Sequence, residues 1–356
     1  MMLKIINDLL KELDKVISSE STMIVFTDKN YNSIALCSEN FHEIEANAKI
    51  NKDAELEKRK IAFIDGGNNT VVKSSNFIVS FIRLYAAVYC GKAKIKEDKH
   101  EFFAVVTADY ADEKLRYKTE LFPIGNALLP RIKDLVFDSM DKTITEGSNR
   151  AEIAKIVDNI RRFGELNLAA SLASYLEEND IILLDGTLQA TVTNENSYLN
   201  VLYDECERKK ITVCGLAKTS NLFTDKGDNA QAAVNKLNSK NKDLARWYYY
   251  PFVQIMNEKH KADMFFVKFH PGSRYIFRFE VHNSLNFDLK SLFSLIAENS
   301  NDPVFPGYPY GLIEADKNAR VSNEERNYMK TIIETKRNLN QYLRSLDAHD
   351  VLDNIS

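Results

Sequence analysis

The sequence predicts an α/β fold: a mixed sheet flanked by helices, with helical elaborations toward its N- and C-terminal ends. Three observations predict it. Two wholly apolar segments, Ile61–Ile64 and Ile181–Leu184, each run directly into Asp-Gly, as buried strands do when glycine stops them. Helical and strand periodicities alternate between Asn149 and Ala217, an order that builds parallel pairs covered by helices. A later group of three strand-like runs suggests an antiparallel extension.

Near the N-terminus, Leu3, Ile6, Leu9, Leu10, Leu13 and Val16 recur at spacings of three and four, the period of an amphipathic helix. Charged residues dominate Lys49 to Lys60, and Ile61–Ile64 then reads as a short strand ending at Asp65, Gly66 and Gly67. Phe77–Tyr89 and Phe102–Thr107 read as neighbouring strands, separated by the polar segment Gly91–Glu101. From Asn149 to Glu178 the apolar residues drift along one helical face. Gly164 interrupts that helix at roughly 1 kcal/mol relative to Ala. The strand Ile181–Leu184 ends at Asp185, Gly186 and Thr187, repeating the first strand ending. A helix over Tyr198–Lys209 leads to a strand over Ile211–Ala217, which ends at Lys218, Thr219 and Ser220.

After the polar stretch Thr224–Arg246, the antiparallel runs are Trp247–Met256, Met264–Phe269 and Tyr275–Val281. Pro303, Pro306 and Pro309 remove backbone donors and exclude regular structure there, so a short helix is placed near Pro309. The last helix begins after Ser322, where Glu325 completes a capping box, and runs to about Leu346. With no internal repeat or linker, one domain is expected over 1–356: an N-terminal helical elaboration at 1–50, a core at 61–320 and a C-terminal helix at 322–356.

Hydrophobic residues are 44% and charged residues 28%, the balance of a folded globular chain. The longest apolar stretch, Phe77–Cys90, contains Ser80 and Arg83 and is too short to span a bilayer. No membrane partner is therefore expected. The first residues mix Leu and Ile with Lys, Asp and Glu, unlike a secretory signal, which points to a cytoplasmic protein. Cys37, Cys90, Cys206 and Cys214 form no CxxC pair, and no His stands at zinc-ligand spacing. Buried free thiols are expected, with neither a disulfide frame nor a zinc site. The net charge of -4 does not say where charge lies on the surface.

Strands that end in Asp-Gly place a carboxylate at the sheet edge where open α/β sheets bind ligands. Asp65 and Asp185 occupy two such endings, and Glu165 precedes Ala169 and Ala170, which allow a helix close to the sheet. Converging carboxylates repel one another unless a cation neutralises them, and oxygen-only ligation favours Mg²⁺ or Mn²⁺ over zinc. Taken singly, each Asp-Gly also reads as a turn and Glu165 as a solvated helix residue.

Five ordered motifs then carry a resemblance. Ile61-Ala-Phe-Ile-Asp65-Gly-Gly67, Glu165-x-x-x-Ala169, Ile182-Leu-Leu-Asp185-Gly-Thr-Leu188, Gly215-Leu-Ala-Lys218-Thr-Ser220 and Gly307-Tyr-Pro-Tyr-Gly-Leu-Ile-Glu-Ala315-Asp316 resemble the motifs of NurA nucleases. The resemblance implies a ribonuclease H-like fold and Mn²⁺- or Mg²⁺-dependent cleavage of DNA at a site with two ions. It further implies a homodimer and a hexameric HerA-type ATPase partner in DNA end processing and repair. Carried over by position, Asp65, Glu165, Asp185 and Asp316 would be metal ligands and Lys218 would join them as a catalytic residue. Many similar chains have His where this one has Asp316; a carboxylate can replace imidazole on a hard cation. Asp316 also reads as a structural cap. The two-ion chemistry would leave Asp65 bridging and Lys218 neutralising charge on the phosphorane.

For DNA contacts, Lys226, Lys236, Lys240, Lys242 and Arg246 follow Lys218, while Arg274 and Arg278 would share one strand face by two-residue periodicity. Each also reads as ordinary solvated surface. Trp247–Tyr250 reads as core or as a stacking surface for unpaired bases. Two rival functions remain: an actin-like or sugar-kinase-fold ATPase, whose glycine-rich nucleotide segment is not evident here, and a non-catalytic DNA- or ATPase-binding subunit.

Overall fold

The computed structural model describes residues 2–17, 20–45, 58–283 and 288–336. In chain order the elements are α1 (Met2–Ile17), β1 (Ile24–Val25), β2 (Tyr31–Ser33), β3 (Phe41–Glu43), β4 (Lys60–Lys73), β5 (Phe77–Cys90), β6 (Ala93–Ala111), β7 (Lys114–Pro123) and β8 (Phe137–Asp138). There follow α2 (Ile153–Leu172), β9 (Ile181–Asp185), α3 (Glu195–Lys209), β10 (Thr212–Ala217), β11 (Phe223–Thr224), α4 (Ala230–Asn241), β12 (Trp247–Tyr249) and β13 (Val253–Ile255). The last are β14 (Ala262–Lys268), β15 (Phe277–His282), α5 (Leu289–Glu298), α6 (Tyr310–Ala319) and α7 (Asn323–Lys336). Mixed strand directions and flanking helices make this the α/β fold that the sequence predicts.

The chain divides into two compact units, one drawn from Asp53–Gly215 and Pro309–Ser356, the other from Met1–Lys52 and Leu216–Tyr308. In the first, strands run in the order β9-β4-β5-β6-β7-β8, with the start of β10 beside β9. The β4–β9 pair is parallel and the β4–β5, β5–β6 and β6–β7 pairs are antiparallel. In the second unit β3-β12-β14-β15 form an antiparallel sheet. Its core gathers Trp247, Tyr249, Phe252, Met264 and Phe266 around Val234 of α4.

Several sequence expectations are corrected. The strand read as Ile61–Ile64 does not stop at its glycines but continues to Lys73. Gly66 and Gly67 serve close approach: a Cβ on Gly66 would lie 2.6 Å from Glu165 Oε1 of α2, and one on Gly67 would lie 2.2 Å from the Ala319 carbonyl oxygen at the end of α6. Successive strand residues face opposite ways, so α2 and α6 press on β4 from opposite faces. Gly164 does not interrupt α2; a Cβ there would meet Leu84 Cδ1 at 2.7 Å. The polar segment Gly91–Glu101 lies largely within β6, turning at Gly91, whose φ of +56° suits glycine.

Other differences follow from local chemistry. The segment after α1, expected to be helical, forms β1 to β3, with Ile24, Tyr31 and Phe41 in the core. The run Trp247–Met256 is two strands, because Pro251 interrupts it. Trp247, Tyr248 and Tyr249 are buried and pack on Phe41, Phe293 and Phe252, so they are core and not a stacking surface. The polar stretch before them holds α4, started by the Asn229 side chain, which accepts from the Gln231 and Ala232 amides. The α7 capping box forms as expected, with reciprocal bonds of 2.8 and 3.1 Å between Ser322 and Glu325. The remainder of that helix, toward Leu346, lies outside the described residues. None of the four cysteines forms a disulfide; Cys206 and Cys214 are buried and Cys37 and Cys90 half-buried. Among the described residues, no helix is long and apolar enough to cross a membrane.

The close contact at Gly67 makes a direct prediction. Because the opposing atom is a backbone oxygen, Gly67→Ala has no flexible side chain to displace. The variant is expected to lose about 1–3 kcal/mol of stability, the usual cost of overpacking. Urea denaturation reads this as a lowered midpoint, and an unchanged midpoint would mean that the end of α6 is free to back away.

Candidate metal centre

The parallel register pairs Ile61 with Ile181 and Ile64 with Leu184, so Asp65 and Asp185 follow the last paired residues side by side. Burial of the apolar residues on both strands fixes that register. Asp65 is only 6% exposed, and its Oδ1 accepts from the Gly66 amide at 2.7 Å. Past Asp185 the chain turns at Gly186, where φ is +115°.

The third carboxylate arrives on α6. Pro309 stands just before the helix, where its missing N–H costs nothing. Gly311 has no room for a Cβ, which would sit 2.1 Å from Phe63 Cδ2. Alternation along β4 puts Phe63 and Asp65 on the same face, so the Phe63–Gly311 contact brings α6 to the face that carries Asp65. Glu314 then anchors the helix by accepting from Tyr85 at 3.1 Å, Lys94 at 2.9 Å and Tyr89. The result is that Asp65, Asp185 and Asp316 each offer a carboxylate oxygen within 4.8 Å of the others. Asp316 also accepts from Arg320 at 2.8 Å.

Glu165 does not belong to that triad. It is 2% exposed and lies against Gly66, on the opposite face of β4 from Asp65. Arg161 donates to its Oε1, and Arg162 lies 3.7 Å from its Oε2. Burial pushes the Glu165 carboxyl up, against the pull of Arg161 and Arg162. The negative field of Glu165, with Asp65, Asp158 and Asp185 beyond it, raises the Arg161 guanidinium. Arg161 was missed in the sequence, although its i,i+4 spacing to Glu165 was a readable signal.

The remaining expected residues lie in the other unit. Lys218 is exposed just after β10, with Nζ 5.4 Å from the centre of the Tyr308 ring. Lys236 and Lys240 are on α4, where Lys240 pairs with Glu20 at 2.7 Å; Lys242 caps the helix end. Lys226 is exposed in the turn before that helix. Arg246 is half-buried, and its Nε finds no partner among the described residues. The expected shared strand face of Arg274 and Arg278 is not present. Arg274 is exposed in the loop before β15, whereas Arg278 is within β15, buried and paired with Glu280.

The donor set fits a hard divalent cation. Three carboxylates this close repel, an oxygen-only set suits Mg²⁺ or Mn²⁺, and nothing in it supplies the sulfur or nitrogen that softer ions prefer.

A family model described as the NurA domain matches residues 59–321. Among solved structures, the crystal structure of the NurA nuclease from Sulfolobus solfataricus aligns over 96% of this chain and 96% of its own, at 14% identity and a TM-score of 0.50. That likeness extends to the fold, the ribonuclease H-like class expected from the motifs. The catalytic domain of human Endonuclease V aligns over 77% of this chain and 84% of its own, at 12% identity and a TM-score of 0.38. No curated protein matches the chain.

Clustered like charges also predict a thermal response. A ligand at a hundred times its dissociation constant stabilises by about 2.7 kcal/mol, a rise of roughly 5–10 °C for a unit of this size. Mn²⁺ is expected to raise the melting midpoint by that order over EDTA, and Asp65→Asn to abolish the rise. Identical wild-type midpoints in Mn²⁺, Mg²⁺ and EDTA would show that the three carboxylates hold no ion.

Proposed function

The chain belongs to the NurA family, and on that premise we propose that it is a divalent-metal-dependent deoxyribonuclease acting at DNA ends. The observation that carries this reading is the convergence of Asp65, Asp185 and Asp316 from two parallel strands and a helix. Two ions of Mn²⁺ or Mg²⁺ are proposed there, held by Asp65, Asp185 and Asp316, while Glu165, on the opposite face of β4, is assigned to its pair with Arg161. Bound in such a site, divalent ions supply Lewis acidity to a phosphate and acidify water.

The chain's own groups set the geometry. Asp65, level with Asp185 on paired strands, would be the carboxylate shared by the ions. Asp316 closes the site from α6, and the Glu314 contacts with Tyr85, Tyr89 and Lys94 keep that helix in place. Arg161, anchored by Glu165, holds positive charge beside the carboxylates, where an incoming phosphodiester needs it. Lys218 is proposed to neutralise charge developing on the phosphorane. Hydrolysis breaks the P–O3′ bond, with a water oxygen forming the new P–O bond and a proton passing to the departing 3′ oxygen.

Lys226, Lys236, Lys240, Lys242, Arg246 and Arg274 are proposed to meet the DNA backbone. Arg278 is assigned to the buried pair with Glu280 instead. Family membership further supports a homodimer, a hexameric HerA-type ATPase partner and a cytoplasmic role in end processing and repair as parts of this proposal.

Asp185→Asn tests it. Gly186 makes the turn, so Asn keeps the shape while removing one charge. Cleavage of end-labelled linear DNA in Mn²⁺ is expected to fall by more than roughly a hundredfold, about 2.7 kcal/mol of transition-state stabilisation, with circular dichroism unchanged. Near-normal cleavage by the folded variant would falsify the nuclease site.

A further inference from the structure

Asp185 lies one residue beyond the last pair of the parallel β4–β9 register, so the ladder stops short of it. Residues 186–194 then form neither helix nor strand before α3 begins at Glu195. Gly186 opens that segment at a φ of +115°, and glycine leaves the direction of the chain open. Tertiary contacts must therefore set how the backbone leaves Asp185.

Two contacts close on that exit. A Cβ on Gly215 of β10 would lie 2.6 Å from the Gly186 carbonyl oxygen, so β10 confines the turn from one side. Arg162 of α2 confines it from another, its Nη2 donating to the Thr187 carbonyl oxygen at 2.5 Å. The same guanidinium donates from Nε to Glu195 Oε1 at 2.9 Å. The other oxygen of Glu195 accepts from the Thr191 and Val192 amides at 2.8 and 3.2 Å. Both side chains are enclosed, at 16% and 4% exposure. One buried ion pair thus grips the segment at residues 187, 191 and 192 together. Arg161, the preceding residue, turns instead to Glu165.

We propose that Arg162 is a positioning residue for the metal centre: braced by Glu195, it holds the segment after β9 so that the Asp185 carboxylate stays beside Asp65. The planar guanidinium serves a carbonyl and a carboxylate at once, which an ammonium on a flexible stem does not reproduce. Groups that orient a ligand without touching the ion commonly change metal affinity by about 10–100-fold. The inference rests on the reading of Asp65, Asp185 and Asp316 as ion ligands and deepens it by naming what sets the place of one of them.

Mn²⁺ binding, read from loss of the free-ion signal in electron paramagnetic resonance, tests this without DNA. Arg162→Lys keeps the charge facing Glu195 and gives up the fork. The double variant Arg162→Met, Glu195→Gln removes both buried charges together, because removing one alone strands the other. Gln in place of Glu195 still accepts from the Thr191 and Val192 amides. Each variant is expected to bind Mn²⁺ about tenfold more weakly or worse, with circular dichroism unchanged. On linear DNA, kcat is expected to fall while KM stays near that of the wild type. A brace that serves only the fold gives the converse, a lower melting midpoint in EDTA with wild-type Mn²⁺ affinity, and that result overturns the proposal. Asp185→Asn is the control. If the wild type binds Mn²⁺, Asp185→Asn does not and the Arg162 variants do so normally, the ion site stands and the role of Arg162 alone falls. A wild type that binds no Mn²⁺ removes the ion site and the role of Arg162 with it.

Discussion

The carboxylate centre depends on how closely a single strand can be approached from both of its faces. At Gly66 and Gly67 the missing side chains let Glu165 of α2 come in from one face and the end of α6 from the other. A Cβ at Gly67 would hold the end of α6 off, and one at Gly66 would displace the Glu165 side chain from the strand. The same strand carries Asp65 on the α6 face, so the closeness that seats α6 also brings Asp316 within reach of Asp65 and Asp185. Packing and chemistry are linked here by alternation along β4: odd-numbered residues meet α6, and the even-numbered Gly66 meets α2.

That alternation also explains the company Glu165 keeps. A glutamate buried to 2% exposure needs a partner. Arg161, one helical turn earlier, provides it, and the guanidinium also feels Asp65 and Asp185. The strand thus has carboxylates gathered on one side and an arginine–glutamate pair on the other. The buried pair fixes charge near the triad without adding a fourth repelling carboxylate to it.

Much of the architecture was legible because its signals are local. Apolar runs at Ile61–Ile64 and Ile181–Leu184 gave two parallel neighbours, and Ser322 with Glu325 gave the start of α7. Asp65 and Asp185 were found from the strands they end or follow, while Asp316 came through family resemblance, since nothing local marks a helix residue that meets a distant strand. What was misread depended on tertiary contacts. Gly66, Gly67 and Gly164 look like breakers in sequence, yet each is a point of close packing whose opposing atom lies far along the chain. Strand β7 was overlooked because polar residues alternate through it, and α4 because its buried face is narrow. The pairing of Arg278 with Glu280 was hidden by treating two arginines as one face, when the strand begins between them.

The third aspartate bears on how many ions the proposed site would favour. With the Asp316–Arg320 pair opened to a metal, Asp65, Asp185 and Asp316 together would present three formal negative charges, and Arg161 and Glu165 cancel one another. One divalent ion would leave the cluster negative and repel a phosphodiester. Two would leave it with a single positive charge, which the arriving phosphodiester matches. Histidine in the position of Asp316 would remove one negative charge, so two ions would overshoot that balance and a softer ligand would enter the shell. On the proposed reading, the aspartate would therefore favour two hard cations and a substrate whose charge completes the neutralisation. Because such charge matching acts within a few ångströms, it is independent of the chain's overall charge of -4.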